Sequence, residues 1–340
     1  MEQRQKERKG IAVAGSLNAD IFYKTDTYPQ EGLLTKIRET KGHVGGSGNL
    51  ILDLAKLDPQ LPVKAGAVVG CDEQGEMVLR MLSRYPNIDL RGIRREAETS
   101  VTIVMNAQDS KQRTFFYIPA ANDRFDLSCI DWDCMEAEIF HLEYLLLMKA
   151  VDAPDAEYGT HGARILREAR ERGMETSIDV VSERGPGAAQ IVASALRYTD
   201  YCSINEVEAE MATGIDLTSS DEALARHAGK ALARLRELGV AKWAVIHAPA
   251  CSYGHDCRNG EFYTVQSLKL PDGFIQGTNG AGDAYCSGIL YAALRGDGLA
   301  DAMRLAAACA ACSLSEENGT DGMRAYEDVR KLAERFGGRC

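Results

Sequence analysis

Short apolar runs alternate with amphipathic stretches along most of this chain. Ile11–Ala14, Ala65–Gly70, Tyr144–Met148, Thr176–Val181, Tyr201–Ile204 and Trp243–His247 are short and largely apolar, as strands buried on both faces are. Between and after them, Asp155–Arg172, Gly187–Arg197, Asp221–Leu238 and Ala284–Leu294 carry apolar residues near helical spacing. This alternation predicts an α/β fold with a mainly parallel sheet covered by helices on both faces. Two stretches, about 21–42 and 99–121, break the rhythm. In the second, Thr102, Val104, Arg113, Thr114, Phe115, Tyr117 and Ile118 read as antiparallel strands around an Asp109-Ser110-Lys111 turn. Together the two stretches predict a small inserted β-sheet. The charged start, 1–10, reads as a frayed tail, and 11–340 as a single domain.

Composition narrows the partners. A net charge of −11 gives nucleic-acid binding no general electrostatic support. No apolar run is long enough to span a membrane, and MEQRQKERKG lacks the apolar core of a signal peptide, so a cytoplasmic protein is expected. The ten cysteines are scattered and several fall in apolar patterns, which favours reduced thiols. Cys309 and Cys312, and the group His247, Cys251, His255 and Cys257, have spacings that zinc accepts, but the first pair sits in what reads as a buried helix and no second CxxC completes it.

The segment Gly277-Thr278-Asn279-Gly280-Ala281-Gly282-Asp283-Ala284 opens the helix that ends near Arg295-Gly296. Unpaired backbone N–H groups and the helix dipole make such a terminus a site for phosphate. Asp283 is poorly explained as a phosphate ligand, since the two repel, but it suits a base taking the proton of an attacking hydroxyl. The alternative is a glycine-rich turn with Asp283 as a helix cap. The P-loop, GxGxxG and GxSxG patterns are absent, so phosphates would have to be neutralised by the helix terminus and Mg²⁺. Asn205-Glu206-Val207-Glu208 follows a strand and reads either as a capping box or as a pair, Asn205 and Glu208, that orients metal-bound water. Asn18 and Asp20, just after the first strand, lie where open α/β sheets bind ligands and have the polarity a polyol requires.

With these motifs the chain resembles the ribokinase-like, or PfkB, family of carbohydrate kinases over nearly its whole length. The GAGD core at 280–283 matches that family's C-terminal signature, and Asn205–Glu208 its NxxE motif. The resemblance implies ATP as donor and Mg²⁺, with Asp283 as base, Gly280, Ala281 and Gly282 as backbone donors to the phosphoryl group, and Glu208 acting on the metal through water. It also implies that Asn205, Thr278, Gly254 and Asn318 serve the nucleotide, and that Asp20, Asn18, Gly46, Asn49 and Asn122 serve a sugar or nucleoside acceptor. A β lid that closes over the sugar and forms a homodimer is implied as well, with Arg113 able to point from it toward substrate.

Three departures stand out. Only Ser47 and Gly48 separate the GG pair from Asn49, where the family usually has three residues. Of the nucleotide loop expected in His247–Gly254, only Gly254 is kept. Gly277 replaces an Asp that ligates a monovalent cation in many members, which argues against potassium activation. A sugar kinase is therefore expected, with a nucleoside kinase or a non-catalytic sugar or nucleotide sensor as alternatives.

Overall fold

The computed structural model describes residues 9–337 other than 111 and 184, so most of the tail read at 1–10, and Lys111 of the expected turn, fall outside the described residues. Lys9 and Gly10 are already tied down, by an ion pair to Glu136 at 2.5 Å and a hydrogen bond to Glu138 at 3.0 Å.

Nine strands form the main sheet, in the spatial order Glu261–Gln266, Cys251–Asp256, Trp243–His247, Tyr201–Asn205, Glu175–Val180, Ile139–Leu145, Ile11–Gly15, Val63–Val69 and Ile88–Arg95. All neighbouring pairs are parallel except the two at the Glu261–Gln266 edge. The first strand explains why such segments look uniformly apolar: Ile11 and Val13 enter one core, Ala12 and Ala14 the other. The first core takes in the helices Ser47–Leu57, Ala281–Arg295 and Leu299–Ser313; the second takes in His161–Glu171, Ala188–Leu196 and Asp221–Leu238.

A separate four-stranded sheet has the order Ile37–Gly46, Leu17–Thr25, Ser100–Ala107, Arg113–Ile118. It grows from the main sheet at Ser16, where the chain leaves Ile11–Gly15 and enters Leu17–Thr25 directly. Asn18 and Asp20 therefore stand on a strand rather than in a polar turn, and Asp20 pairs in register with His43 on one side and Thr102 on the other. Both stretches that break the α/β rhythm belong to this sheet, although its strands reach back to Leu17 and on to Gly46.

Some expected boundaries move. The strand read at Tyr144–Met148 runs instead over Ile139–Leu145, because the polar residues His141 and Glu143 are fully buried within it and masked its apolar pattern. The helix read from Asp155 starts at His161, capped by Thr160, after a two-residue ladder between Pro154–Asp155 and Gly159–Thr160. The helix that follows the Gly45-Gly46 pair begins at Ser47. Gly254 lies within the antiparallel strand Cys251–Asp256, not in a loop. A Cβ there would come within 2.5 Å of the Met303 sulfur, so helix Leu299–Ser313 crosses closely at this point.

Candidate active site

Helix Ala281–Arg295 is entered through Gly280, whose φ of 72° is left-handed and whose Cα lies so close to Gly319 that a Cβ would approach the Gly319 Cα to 2.5 Å. This turn leaves the N–H groups of the first helical residues free of intrahelical partners. Asp283, in that first turn, is buried. One of its carboxylate oxygens accepts from the Asn49 amide at 2.9 Å, and the other from the Tyr144 hydroxyl. Burial pushes the Asp283 carboxyl above its usual range, while these two hydrogen bonds pull it back.

Strand Ile37–Gly46 delivers Asn49 to this carboxylate. Gly46, at φ 61°, caps helix Ser47–Leu57 without a side chain, so the helix starts immediately and Asn49 falls in its first turn. The early start accommodates the short spacing between the glycine pair and Asn49. Gly45 leaves room for the Asp20 carboxylate, since a Cβ there would lie 2.2 Å from Asp20 Oδ1. Asn18 donates its amide to Asp20 at 2.7 Å and to the Thr102 hydroxyl at 3.0 Å. Burial raises the Asp20 carboxyl to about 7, with the nearby Asp283 charge adding to the effect.

Three strand ends add acids to this centre. Glu143 and Asp179 each place a carboxylate oxygen within 4.8 Å of Asp283 and of one another, and all three are buried. Both Glu143 oxygens lack a hydrogen-bond partner; the nearest cationic candidate, His141, lies 3.4 Å away and is held neutral by burial, its pKa down to about 3. Asn205 and Glu208 form a reciprocal capping box, each side chain bonding the other's backbone N–H at 2.9 Å. The Asn205 amide and the Ser182 hydroxyl also both donate to Glu208 Oε1 at 2.7 Å. Burial raises Glu208 to about 7 against these bonds, and Asp283 contributes to the same rise. The capping reading of this motif is observed, and it leaves the Glu208 carboxylate beside the Asp283 centre. A divalent cation fits this acid-rich set, because orphaned buried carboxylate oxygens are costly without a counter-charge.

Other candidates serve different ends. Asn122 is fully buried; it accepts from Leu17 N at 3.0 Å and donates to the Tyr117 hydroxyl at 2.8 Å, bridging two strands of the small sheet. Thr278 is exposed beside Gly277 and Asn279 on the wall of a 540 Å³ cavity shared with Arg113 and Phe115. Asn318 caps its own turn through the N–H groups of Thr320 and Asp321, at 3.0 and 2.8 Å, and borders a 640 Å³ cavity against the small sheet. Sequence reasoning missed Glu143, Tyr144 and Asp179 as site residues. The available signal was their place at carboxyl ends of parallel strands, where ligands collect.

The sequence pattern of pfkB family carbohydrate kinases matches residues 8–325. The chain belongs to that family. Its members are phosphotransferases acting on a hydroxyl group. Ribokinase from Arabidopsis thaliana is 24% identical over 95% of this chain and 80% of its own length. An ATP-dependent ribose-1-phosphate kinase from Halopiger xanaduensis is 25% identical over 96% of this chain and 99% of its own. The solved Arabidopsis ribokinase complexed with ribose and ATP superposes with a TM-score of 0.79 at 22% identity, covering 96% of this chain and 99% of that one. The ribokinase-like fold with a small inserted β-sheet thus extends over almost the whole molecule.

Proposed function

We propose that this protein transfers the γ-phosphoryl group of ATP to a hydroxyl of a sugar or close sugar analogue, with Asp283 as the base. The observation that carries the reading is the placement of the Asp283 carboxylate in the first turn of helix Ala281–Arg295, beside the free N–H groups of the Gly280–Gly282 turn and in hydrogen-bond contact with Asn49. A hydroxyl delivered there meets a proton acceptor and a phosphoryl-binding turn together.

Asp20, Asn18 and Asn49 would hold the acceptor's other hydroxyls, for which their paired donors and acceptors are suited. Asp283 would take the proton from the attacking oxygen, and the backbone donors of Gly280, Ala281 and Gly282 would hold the equatorial oxygens of the transferring group. Glu208, with Asn205 orienting it, the orphaned Glu143 carboxylate and the Asp179 carboxylate beside it would hold Mg²⁺ and its waters. When bound, the ion neutralises charge on the phosphates. Closure of the small sheet would exclude water.

Relatives named as ribokinase and ribose-1-phosphate kinase support a pentose or pentose phosphate as the first acceptors to test. The exposed apolar residues Phe116 and Ile118 of the small sheet, with Leu33 and Leu34 beside it in sequence, support a homodimer formed through the lid. A cytoplasmic location agrees with the need for ATP and with the nine described cysteines, all free thiols. No helix among the described residues is long and apolar enough to cross a membrane.

The deciding experiment is ADP release from Mg-ATP across pentoses, hexoses, sugar phosphates and nucleosides, with Asp283→Asn in parallel. Turnover with one acceptor class that is lost in the variant supports the proposal. Ligand-induced stabilisation without turnover would instead identify a sensor.

A further inference from the structure

A guanidinium from the small sheet approaches the loop ahead of the Gly280 turn. Residues 276–280 lie along residues 313–319: Gln276 N donates to Leu314 O at 2.8 Å, and the Ser313 hydroxyl donates to Asn279 O at 3.2 Å and Gly319 O at 3.1 Å. At Gly277 the approach is closest. A Cβ there would lie 2.8 Å from Glu316 O, 2.9 Å from Glu317 O and 2.8 Å from Arg113 Nη2. Two carbonyl oxygens thus present their negative ends side by side, and the Arg113 guanidinium lies against the same point, donating to Glu317 O at 3.0 Å. Arg113 comes from the edge strand of the small sheet. From Leu17–Thr25, two strands away in that sheet, Lys24 reaches the Glu317 carboxylate at 3.5 Å.

We infer that Arg113 is a positioning residue whose fixed charge, carried by the small sheet, braces the loop Gly277–Gly280 in the way a bound monovalent cation would. The inference rests on the kinase reading above. A guanidinium stays charged, donates to a carbonyl acceptor as it does here to Glu317 O, and needs no diffusible ion. Its charge also lies one residue from Thr278, at the approach to the turn where phosphoryl charge accumulates. Gly277 is what permits this arrangement, because any side chain would displace the guanidinium. Because the charge travels with the small sheet, the phosphoryl pocket is complete only when that sheet is closed, which couples acceptor enclosure to transfer competence.

The test compares the wild-type protein with Arg113→Ala and Arg113→Lys by ADP release in buffers whose only monovalent cation is tetramethylammonium, potassium or guanidinium. The expected wild-type rate is the same in tetramethylammonium and potassium. Arg113→Ala should lose roughly tenfold or more in kcat with little change in the acceptor KM. Potassium or guanidinium should recover part of that loss and tetramethylammonium none, and Arg113→Lys should fall between the two. Strong potassium activation of the wild type, an unchanged kcat in Arg113→Ala, or a loss that no cation recovers while the melting temperature is intact would each overturn the inference. Should no acceptor be phosphorylated, the kinase reading fails separately. ATP affinity is then titrated in the same buffers: cation dependence appearing only in Arg113→Ala still supports the inference, and identical affinities overturn it.

Discussion

The Asn49 amide meets the Asp283 carboxylate at 2.9 Å, joining the first turns of two helices that begin 234 residues apart. The contact fixes the orientation of the carboxylate and, with the Tyr144 hydroxyl, favours its ionised form against burial. Asp283→Asn should lower kcat by roughly 10²- to 10⁴-fold, the range of a lost general base, with ATP affinity nearly unchanged. Its melting temperature should hold or rise, since a buried charge is removed. Steady-state kinetics and a thermal melt on the same preparation check both halves, and retention of most turnover would refute the base.

The observed cap and the proposed metal role of Glu208 are separable. Glu208→Gln keeps an acceptor for the Asn205 N–H and so preserves the capping box, but removes the carboxylate charge. The expected outcome is near-native stability with a marked rise in the Mg²⁺ concentration needed for half-maximal rate. Asn205→Ala should in addition cost about 1 kcal/mol through the lost cap. Magnesium titrations beside denaturant melts distinguish the two effects.

Protonation of the buried acids sets the pH response. Asp20 titrates at about 7 in the fold against 3.8 ordinarily, and Glu208 at about 7 against 4.5. Between those limits the folded protein holds protons that the unfolded chain has released, so these groups favour folding most at low pH and lose that contribution as pH rises through about 7. Asp20→Asn should therefore melt above wild type at pH values past 7, with the gap closing toward pH 4. Because burial also raises Asp283, which must be ionised to act, the acid limb of kcat should lie above the ordinary aspartate value of 3.8. A melting series and a pH–rate profile test these directions independently.

How legible all this was in the sequence depended on whether local pattern or tertiary contact decided each residue. Trp243–His247 and Asp221–Leu238 occupy the bounds their periodicity predicts, since each is specified by its own apolar residues and flanking signals. Ile139–Leu145 was misplaced because buried His141 and Glu143 imitate surface polarity. Asp283, Asn49 and Asp20 were named from local motifs, and the structure brings them to one centre. Tyr144 and Asp179 were not, because their place beside Asp283 comes only from parallel pairing of distant strands, which one-dimensional spacing does not encode. Gly254 carried a motif's last letter while its position was decided by packing on Met303.

Gly280 offers the sharpest test of the phosphoryl-binding turn. Its φ of 72° strains any residue with a Cβ, and the Gly319 backbone, at 2.5 Å from the site of that Cβ, cannot swing aside as a flexible side chain would. Gly280→Ala must therefore displace either the 318–320 turn or the start of helix Ala281–Arg295, and both movements shift the free N–H groups away from the transferring phosphoryl. The expected result is destabilisation of roughly 1–2 kcal/mol from the left-handed backbone alone, together with a fall in kcat larger than any rise in the acceptor KM. Equal loss in both parameters would show that the turn binds the ground state as well as the transition state. An active, stable Gly280→Ala protein would show that these backbone donors are not part of the chemistry.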